Sequence, residues 1–309
     1  MNHHRSSAIA NYVNARGRTV RQIREEAALY AAIEAHLAHH ATLFANLSPR
    51  KVHAQLAGFI AAEQSAGRLT LSREGATPMG WWIANKLHLI GMPLLLVLAL
   101  PLLIVVAPFY FIRLRYLEKT DPEFCPTVDQ AYSDGMALAE DHDVTNQFSA
   151  MGSLKPGLLR LVTAIAVLST VNYAARHLVR HGRLGRIRTI HFARWAFIKG
   201  TRRMAFFSNY DGSVESYMDD FINKTGFGLN ASFSSGIGYP RTNWLVLDGC
   251  ADECKYKEFL RRHTLPTQVW YKAYPGLTAI DLERNTRIRR GLANSSISDQ
   301  ETREWLALL

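Results

Sequence analysis

One uninterrupted apolar stretch, Leu87 to Ile112, constrains this chain more than any other feature. It reads LHLIGMPLLLVLALPLLIVVAPFYFI and carries no Lys, Arg, Asp or Glu. A helical crossing of a bilayer core takes roughly 20 apolar residues, so the run is long enough. It lies too far into the chain for a cleaved signal peptide. The expected product is a membrane-attached protein with polar regions on both sides of an anchor. Trp81 and Trp82 precede the run, and Phe109, Tyr110, Phe111 and Tyr116 close it. Aromatics at both ends match the belts that sit at membrane interfaces.

Pro93, Pro101 and Pro108 fall inside the stretch, and prolines kink helices. Two readings follow. One is a single kinked span; the other is a hairpin turning near Pro101, with arms too short to cross. Arg50, Lys51, Arg68, Arg73 and Lys86 lie on one flank, and Arg113, Arg115 and Lys119 on the other. Basic residues on both flanks favour both ends facing the cytoplasm, and hence the hairpin.

The chain has 309 residues, room for about two ordinary domains, and a formal charge of +10. Each basic residue near an anionic membrane surface contributes roughly 1 kcal/mol. No recognised nucleic-acid motif accompanies the charge, so lipid is the expected partner and nucleic acid is not. Cys125, Cys250 and Cys254 are odd in number and lack CxxC spacing. They do not read as a disulfide framework, and cytoplasmic exposure is the simpler reading.

Residues 1–18 are basic and polar and read as loose. Apolar residues at helical spacing predict an amphipathic helix from Thr19 to Leu43, and Pro49 opens a second helix. RLTLS (68–72) reads as a short strand or loop. These elements form a helical N-terminal region, 1–86, followed by the anchor, 87–112, and a Pro-containing linker, 113–133.

A second unit, 134–292, carries a strand at 144–154 and a helix at 156–182, with Pro at its start and Gly after its end. Strands at 189–198 and 203–210 follow, joined at Lys199-Gly200. A helix at 213–224, capped by Ser213, and a strand at 229–235 complete the order β-α-β-β-α-β, that of a ferredoxin-like unit. A helix (254–263), a strand (267–274), a helix (278–292) and a C-terminal tail (293–309) come last. Helix 156–182 is apolar nearly all round, so it is either buried against the sheet or in contact with lipid.

Several side chains could carry chemistry. His191 shares a strand face with Trp195, while Phe192 and Arg194 point the other way. It is a candidate metal or haem-iron ligand or proton carrier, and the plain alternative is a core histidine. Asp211, followed by Gly212 at a strand-to-helix junction, caps the helix or serves as an acid/base group if buried beside Arg194 or His191. Glu215 and Asp219 lie four apart on one helix face and bind a cation or form a solvated acidic face. Glu140-Asp141-His142-Asp143 mixes metal-ligand types without forming a site by itself. Arg241, and the pair Arg261 and Arg262 with His263, suit an anionic headgroup or are surface charge. No P-loop, GxSxG or HExxH occurs.

The segments EDHDVTNQFSAMGSLKPG, TIHFARWAFI, FFSNYDGSVESYMDDFINK, QVWYKAYPGLT and NTRIRRGL together resemble a family of bacterial membrane-associated proteins labelled peroxidase-like. Its fold resembles the dimeric α/β barrels of dye-decolorising haem peroxidases. The resemblance covers about Pro93 to Leu292. It implies an α+β fold, with a ferredoxin-like C-terminal domain of dimeric α/β-barrel type behind a helical region and a membrane anchor. The peroxidases' Gly-x-x-Asp-Gly motif corresponds here to Ser208-Asn209-Tyr210-Asp211-Gly212, with Ser for the first Gly. Their proximal haem ligand, a His ahead of Ile-Arg-Arg, is replaced here by Arg287. The resemblance implies haem as a cofactor, although the expected proximal His is absent.

Two expectations follow. One is a peroxidase-like oxidoreductase at the cytoplasmic face of a bacterial inner membrane, acting on an apolar or lipid-derived substrate. His191 would then be ligand or proton carrier, Asp211 the acid/base group, and Arg194 or Arg241 would stabilise an anion. The other is a non-catalytic membrane scaffold or complex subunit, binding lipid or a partner protein through its sheet, as a homo-oligomer or within a membrane complex.

Overall fold

The computed structural model describes residues 6–73, 75–124, 126–139, 144–179, 182–269, 271–294 and 297–309. The elements are, in chain order, β1 (Ser6–Val13), α1 (Val20–His39), α2 (Ala41–Phe44), α3 (Pro49–Ser65), α4 (Met79–Thr120), α5 (Gln130–Leu138) and β2 (Thr145–Ser153). Then come α6 (Leu158–His177), β3 (Ile190–Ile198), β4 (Arg203–Asp211), α7 (Val214–Phe233), β5 (Thr242–Asn243) and β6 (Leu247–Asp248). The chain ends with α8 (Glu253–His263), α9 (Ala279–Ala293) and α10 (Asp299–Leu306). The fold is mixed α+β, mostly helical, with one four-stranded antiparallel sheet and one long apolar helix.

The chain divides into two compact units. The first joins the chain up to Asn14 to Thr77–Tyr271, and the second joins Ala15–Ala76 to Lys272–Leu309.

In the first unit the strand order is β1-β3-β4-β2. Successive side chains alternate between sheet faces, and the burial follows. Ala10, Tyr12, Phe148, Trp195, Phe206 and Tyr210 form the core face, while Phe192, Arg194 and Phe207 stand exposed on the other. In register, Trp195 faces Phe206 and Phe148 faces Ser208. β3 and β4 are joined by a tight turn whose Gly200 takes φ +78°, which costs little without a Cβ. Helices α6 and α7 cover the core face through Ala164, Leu168, Tyr217, Met218 and Phe221.

Three elements differ from the sequence reading. Residues 6–13 are not loose: β1 pairs antiparallel with β3, Asn11 opposite Arg194, and supplies the fourth strand. The segment 229–235 is not a strand. After a kink at Thr225, α7 resumes as far as Phe233, burying Leu229 and Phe233 four residues apart on one helical face. A short apolar run does not by itself separate a strand from a buried helical turn, and here the helical period wins. Nor is 267–274 a strand over its described residues. Beside β2 the chain forms a single bridge, Ala150 with Thr264, then leaves the sheet. Val269 is 83% exposed, so no apolar face holds the segment down. The β-α-β-β-α portion of the expected order is present, and its final strand is not.

Helix α4 runs 42 residues, with Pro93, Pro101 and Pro108 inside it. Its apolar middle is fully exposed. At its C-terminal end Leu114 and Glu118 are buried. Glu118 accepts from the Thr242 hydroxyl (3.1 Å), Trp244 N–H (3.1 Å) and Leu245 N–H (2.7 Å), and from Arg115 (3.0 Å). The β5–β6 turn that presents those donors holds Trp244 and Leu245 in the left-handed region, at φ 54° and 72°. Side chains rarely adopt that region without compensation, here supplied by three hydrogen bonds to one buried carboxylate.

The second unit packs α1 and α3 with α9 and α10. Its core joins Leu29, Ile33, Val52, Leu56 and Ile60 to Ile288 and Trp305. Helix α9, read from sequence as the end of the 134–292 region, is therefore part of this helical unit. Capping boxes at Thr19, Thr278 and Ser298 start α1, α9 and α10. The buried Glu26 is held by Arg18 (2.8 Å) and the Thr286 hydroxyl (2.8 Å).

Candidate functional site

The sheet brings His191 and Asp211 together. In the β3–β4 ladder Ile190 faces Tyr210 and Phe192 faces Asn209, so His191 is the extra residue of a β-bulge. The bulge turns its ring toward the end of β4, where Nε2 lies 2.6 Å from Asp211 Oδ1. The carboxylate accepts, so Nε2 donates. Both side chains are nearly buried. Asn14 N–H donates to the His191 carbonyl (2.9 Å), and Asp211 N–H to the Thr189 carbonyl (2.9 Å), fixing the backbone on both sides.

Asp211 does not cap α7. Ser213 does, its hydroxyl accepting from Ser216 N–H at 3.3 Å. Gly212 takes φ +86°, which frees Asp211 to turn toward His191.

The other sequence candidates lie apart from this pair. Arg194 is exposed, opposite Phe207 in the ladder. Glu215 and Asp219 grip Lys257, Asp219 at 2.7 Å with Glu253 at 2.7 Å beside it. Those carboxylates hold the Lys257 amine well above its ordinary range. Arg261 pairs with Glu215 (2.7 Å) and Glu258 (3.2 Å), and Arg262 donates to the Pro126 carbonyl (2.7 Å). These two arginines are spent on the protein itself. Arg241 donates to the Asp121 carbonyl (3.2 Å). His263 Nδ1 donates to the Phe259 carbonyl (2.7 Å), and burial pushes its ring below the ordinary histidine range. Arg287 is exposed on α9, in the other compact unit from Asp211. Cys125 and Glu140-Asp141-His142-Asp143 lie outside the described residues. Among the described residues, no three or more His, Cys, Asp or Glu gather to hold a metal ion.

Among the described residues, two cavities of the first unit stand out. One, of about 30 Å³, is apolar and lined by Phe148, Met204, Phe206, Phe233 and His263. The other, of about 380 Å³, lies among α5, β2, α7 and α8 and is lined by Tyr132, Gln147, Met218, Glu258 and Arg261. His191 and Asp211 line neither. A haem ligand needs a free ring nitrogen facing an open space. His191 has its Nε2 on Asp211 and lines neither of these two cavities, an arrangement that does not fit haem.

A second constellation, missed from sequence, ties α4 to α6. At one end Tyr173 OH donates to the Leu89 carbonyl (2.9 Å), Arg176 to the Asn85 amide oxygen (2.6 Å), and His88 meets His177 at 2.8 Å. At the other end Tyr110 OH meets the Thr163 hydroxyl at 2.8 Å. Between Leu89 and Tyr110 a straight helix rises about 31 Å, whereas between Thr163 and Tyr173 it rises about 15 Å. The long tyrosine side chains that make both contacts take up the difference, so α4 carries more helix between the two contacts than α6 does. The three prolines, each removing a ladder hydrogen bond, lie between the two contacts. Helix α6 in turn carries Leu158, Val162 and Ile165 on an exposed stripe, while Ala164 and Leu168 face the sheet. It is buried on one side and open on the other. Both α4 and α6 are long and apolar enough to cross a membrane. Comparison with family models, curated proteins and solved structures finds no match to this chain.

Proposed function

We propose that the chain is a non-catalytic membrane scaffold or complex subunit, ferredoxin-like in its sheet unit, held on one face of a bilayer. The observation that supports this reading is α4 tied to the same helix, α6, at both ends of its bare middle. An apolar helix fastened at two places along one folded unit lies on that unit's side of a bilayer. The aromatic and basic residues at both ends, Trp81, Trp82 and Lys86 against Arg113, Arg115 and Tyr116, suit one headgroup layer. In this reading the membrane is the bacterial inner membrane, the sheet unit is cytoplasmic, and the exposed Phe192-Arg194-Phe207 face receives a partner chain or a second copy.

The test is topological. In a cysteine-free background, Lys86→Cys and Lys119→Cys are labelled with a membrane-impermeant maleimide in sealed vesicles of known orientation. Labelling of both from the cytoplasmic side is the expected result. Labelling from opposite sides would sink the reading and restore a single span.

A second reading keeps the peroxidase-like oxidoreductase of the resemblance. The His191–Asp211 pair favours it, since a carboxylate orienting an imidazole is a common acid/base device. Peroxide-dependent dye oxidation, lost in His191→Ala and Asp211→Asn with folding retained, would support it. A visible spectrum with metal analysis of the purified protein tests haem directly: a Soret band with near-stoichiometric iron would overturn the misfit drawn from His191.

A further inference from the structure

Where α6 begins, the chain gathers cations around an uncapped helix end. Gly157 precedes the helix with φ +100° and caps it with no side chain, so the first-turn N–H groups of α6 are open. Arg160, in that first turn, is 1% exposed. Its Nη2 donates to Asp121, but its Nε and Nη1 have no hydrogen-bond partner. Helical side chains lean toward the N-terminus. The guanidinium does so here, because the Asp121 oxygen it meets also meets Lys155 Nζ (3.5 Å), two residues ahead of the helix. Arg202 donates to the Gly157 carbonyl (2.7 Å), and Arg241 to the Asp121 carbonyl (3.2 Å). Two cations, Arg160 and Lys155, therefore share the Asp121 carboxylate, with Arg241 on the Asp121 carbonyl and Arg202 on the chain just ahead of α6. The nearby Glu118 is already spent on Arg115 and the β5–β6 turn.

A buried guanidinium with two unmet donors is costly, and it stands under a helix terminus that favours negative charge. Burial, joined by the charge of Arg160, holds the Lys155 amine below its ordinary value against the pull of Asp121. A second anion above this cluster would offset its positive charge. Leu158, the first residue of α6, is 74% exposed, and Phe109 and Ile112 on α4 are exposed as well. The cationic end thus adjoins the apolar surface that the preceding reading puts in lipid.

We propose that Lys155, Arg160 and the N-terminus of α6 form a site for the phosphoryl group of an anionic phospholipid, with Arg241 at its rim. Arg160 is the charged floor. Lys155 and the first-turn N–H groups meet the phosphoryl oxygens, and the acyl chains run along Leu158 and α4. The site rests on the one-face membrane reading.

The test uses the full chain reconstituted in bilayers of equimolar phosphatidylcholine and phosphatidic acid, with retained lipid counted by native mass spectrometry. A charge-assisted contact predicts about a tenfold preference for phosphatidic acid. Lys155→Ala is expected to bring the preference near parity, and Lys224→Ala, an exposed residue of α7, to leave it intact. Arg160→Met should act like Lys155→Ala; because Arg160 is buried, the partly exposed Lys155 carries the decision if Arg160→Met does not fold. An unchanged preference in Lys155→Ala, or none in the parent chain, overturns the site. Inorganic phosphate, titrated by 31P NMR in neutral micelles, separates the sources. Tight phosphate binding without lipid preference overturns the lipid source in favour of a free anion. A chain that retains neither lipid overturns the membrane reading and the lipid source together.

Discussion

Helices α4 and α6 lie side by side, and by length and apolar content either could cross a membrane. Their surroundings differ. Helix α6 lays Ala164, Leu168 and Ala175 against the sheet, so its apolar residues are partly a protein core. Helix α4 buries only Leu114 and Glu118, at one end, and leaves its long middle bare. Composition names the candidates for lipid contact, but the partner surface decides which side chains stabilise the fold and which only meet solvent or lipid. The same substitution in the two helices should therefore report different things.

The largest effect is expected from charge in the bare middle of α4. Leu98→Arg with Leu102→Arg places two cations where a bilayer interior would be, at about 3 kcal/mol each. Membrane fractionation should show the double variant released, with thermal unfolding of the soluble part nearly unchanged. Release accompanied by unfolding would break the comparison, since it would make α4 a core helix.

Truncation inside α6 is the converse. Leu168 is fully buried against the sheet, and Leu168→Ala should cost about 2–5 kcal/mol of stability by cavity formation. Leu98→Ala, the matched change in α4, should cost close to nothing by the same denaturant titration. Equal losses at the two positions would erase the distinction.

Some of this was legible from sequence and some was not. Strands β2, β3 and β4 show in their period-two alternation, and α6 in Pro156 and the Gly182 beyond its end. The bare middle of α4 shows in its lack of any charge. Strand β1 is an edge strand in which, among the side chains described, Ala10 and Tyr12 are the buried ones, too brief a pattern to stand out from a polar terminus. The His191–Asp211 contact needed the bulge at His191, and nothing in TIHFARWAFI marks a bulge. Both residues were candidates, and their union depended on register. Glu118 reads in sequence as one charge in the basic flank RLRYLEKT. Its role comes from a turn more than a hundred residues later, and sequence spacing carries no trace of that. Lys155 and Arg160 likewise acquire their setting only when the end of α4 is brought to them.

Glu118 sets the middle of the scale. It meets the Thr242 hydroxyl and two backbone N–H groups at the exposed-to-buried transition of α4. Glu118→Ala leaves those donors buried and unmet, a loss of about 3 kcal/mol. Glu118→Gln keeps an acceptor and should recover part of it. Hydrogen exchange at Trp244 and Leu245 is the readout, because Glu118 accepts from those two N–H groups directly. Unchanged protection in Glu118→Ala would mean that the turn, and with it the base of α4, is held by something else.

The smallest effects are the two hydroxyl clamps. Tyr110→Phe removes the bond to Thr163, and Tyr173→Phe the bond to the Leu89 carbonyl, each worth about 1 kcal/mol. Their combination is more telling than either alone. Sites more than about 10 Å apart with no shared partner usually act additively. These two clamps hold one helix, so once one end is free the other holds α4 less firmly. The double variant should therefore lose less than the sum, with the distance between spin labels at Gly91 and Gly182 growing as α4 leaves α6. Strict additivity with an unchanged distance would mean that the rest of the α4–α6 contact, not these two clamps, holds the helices together.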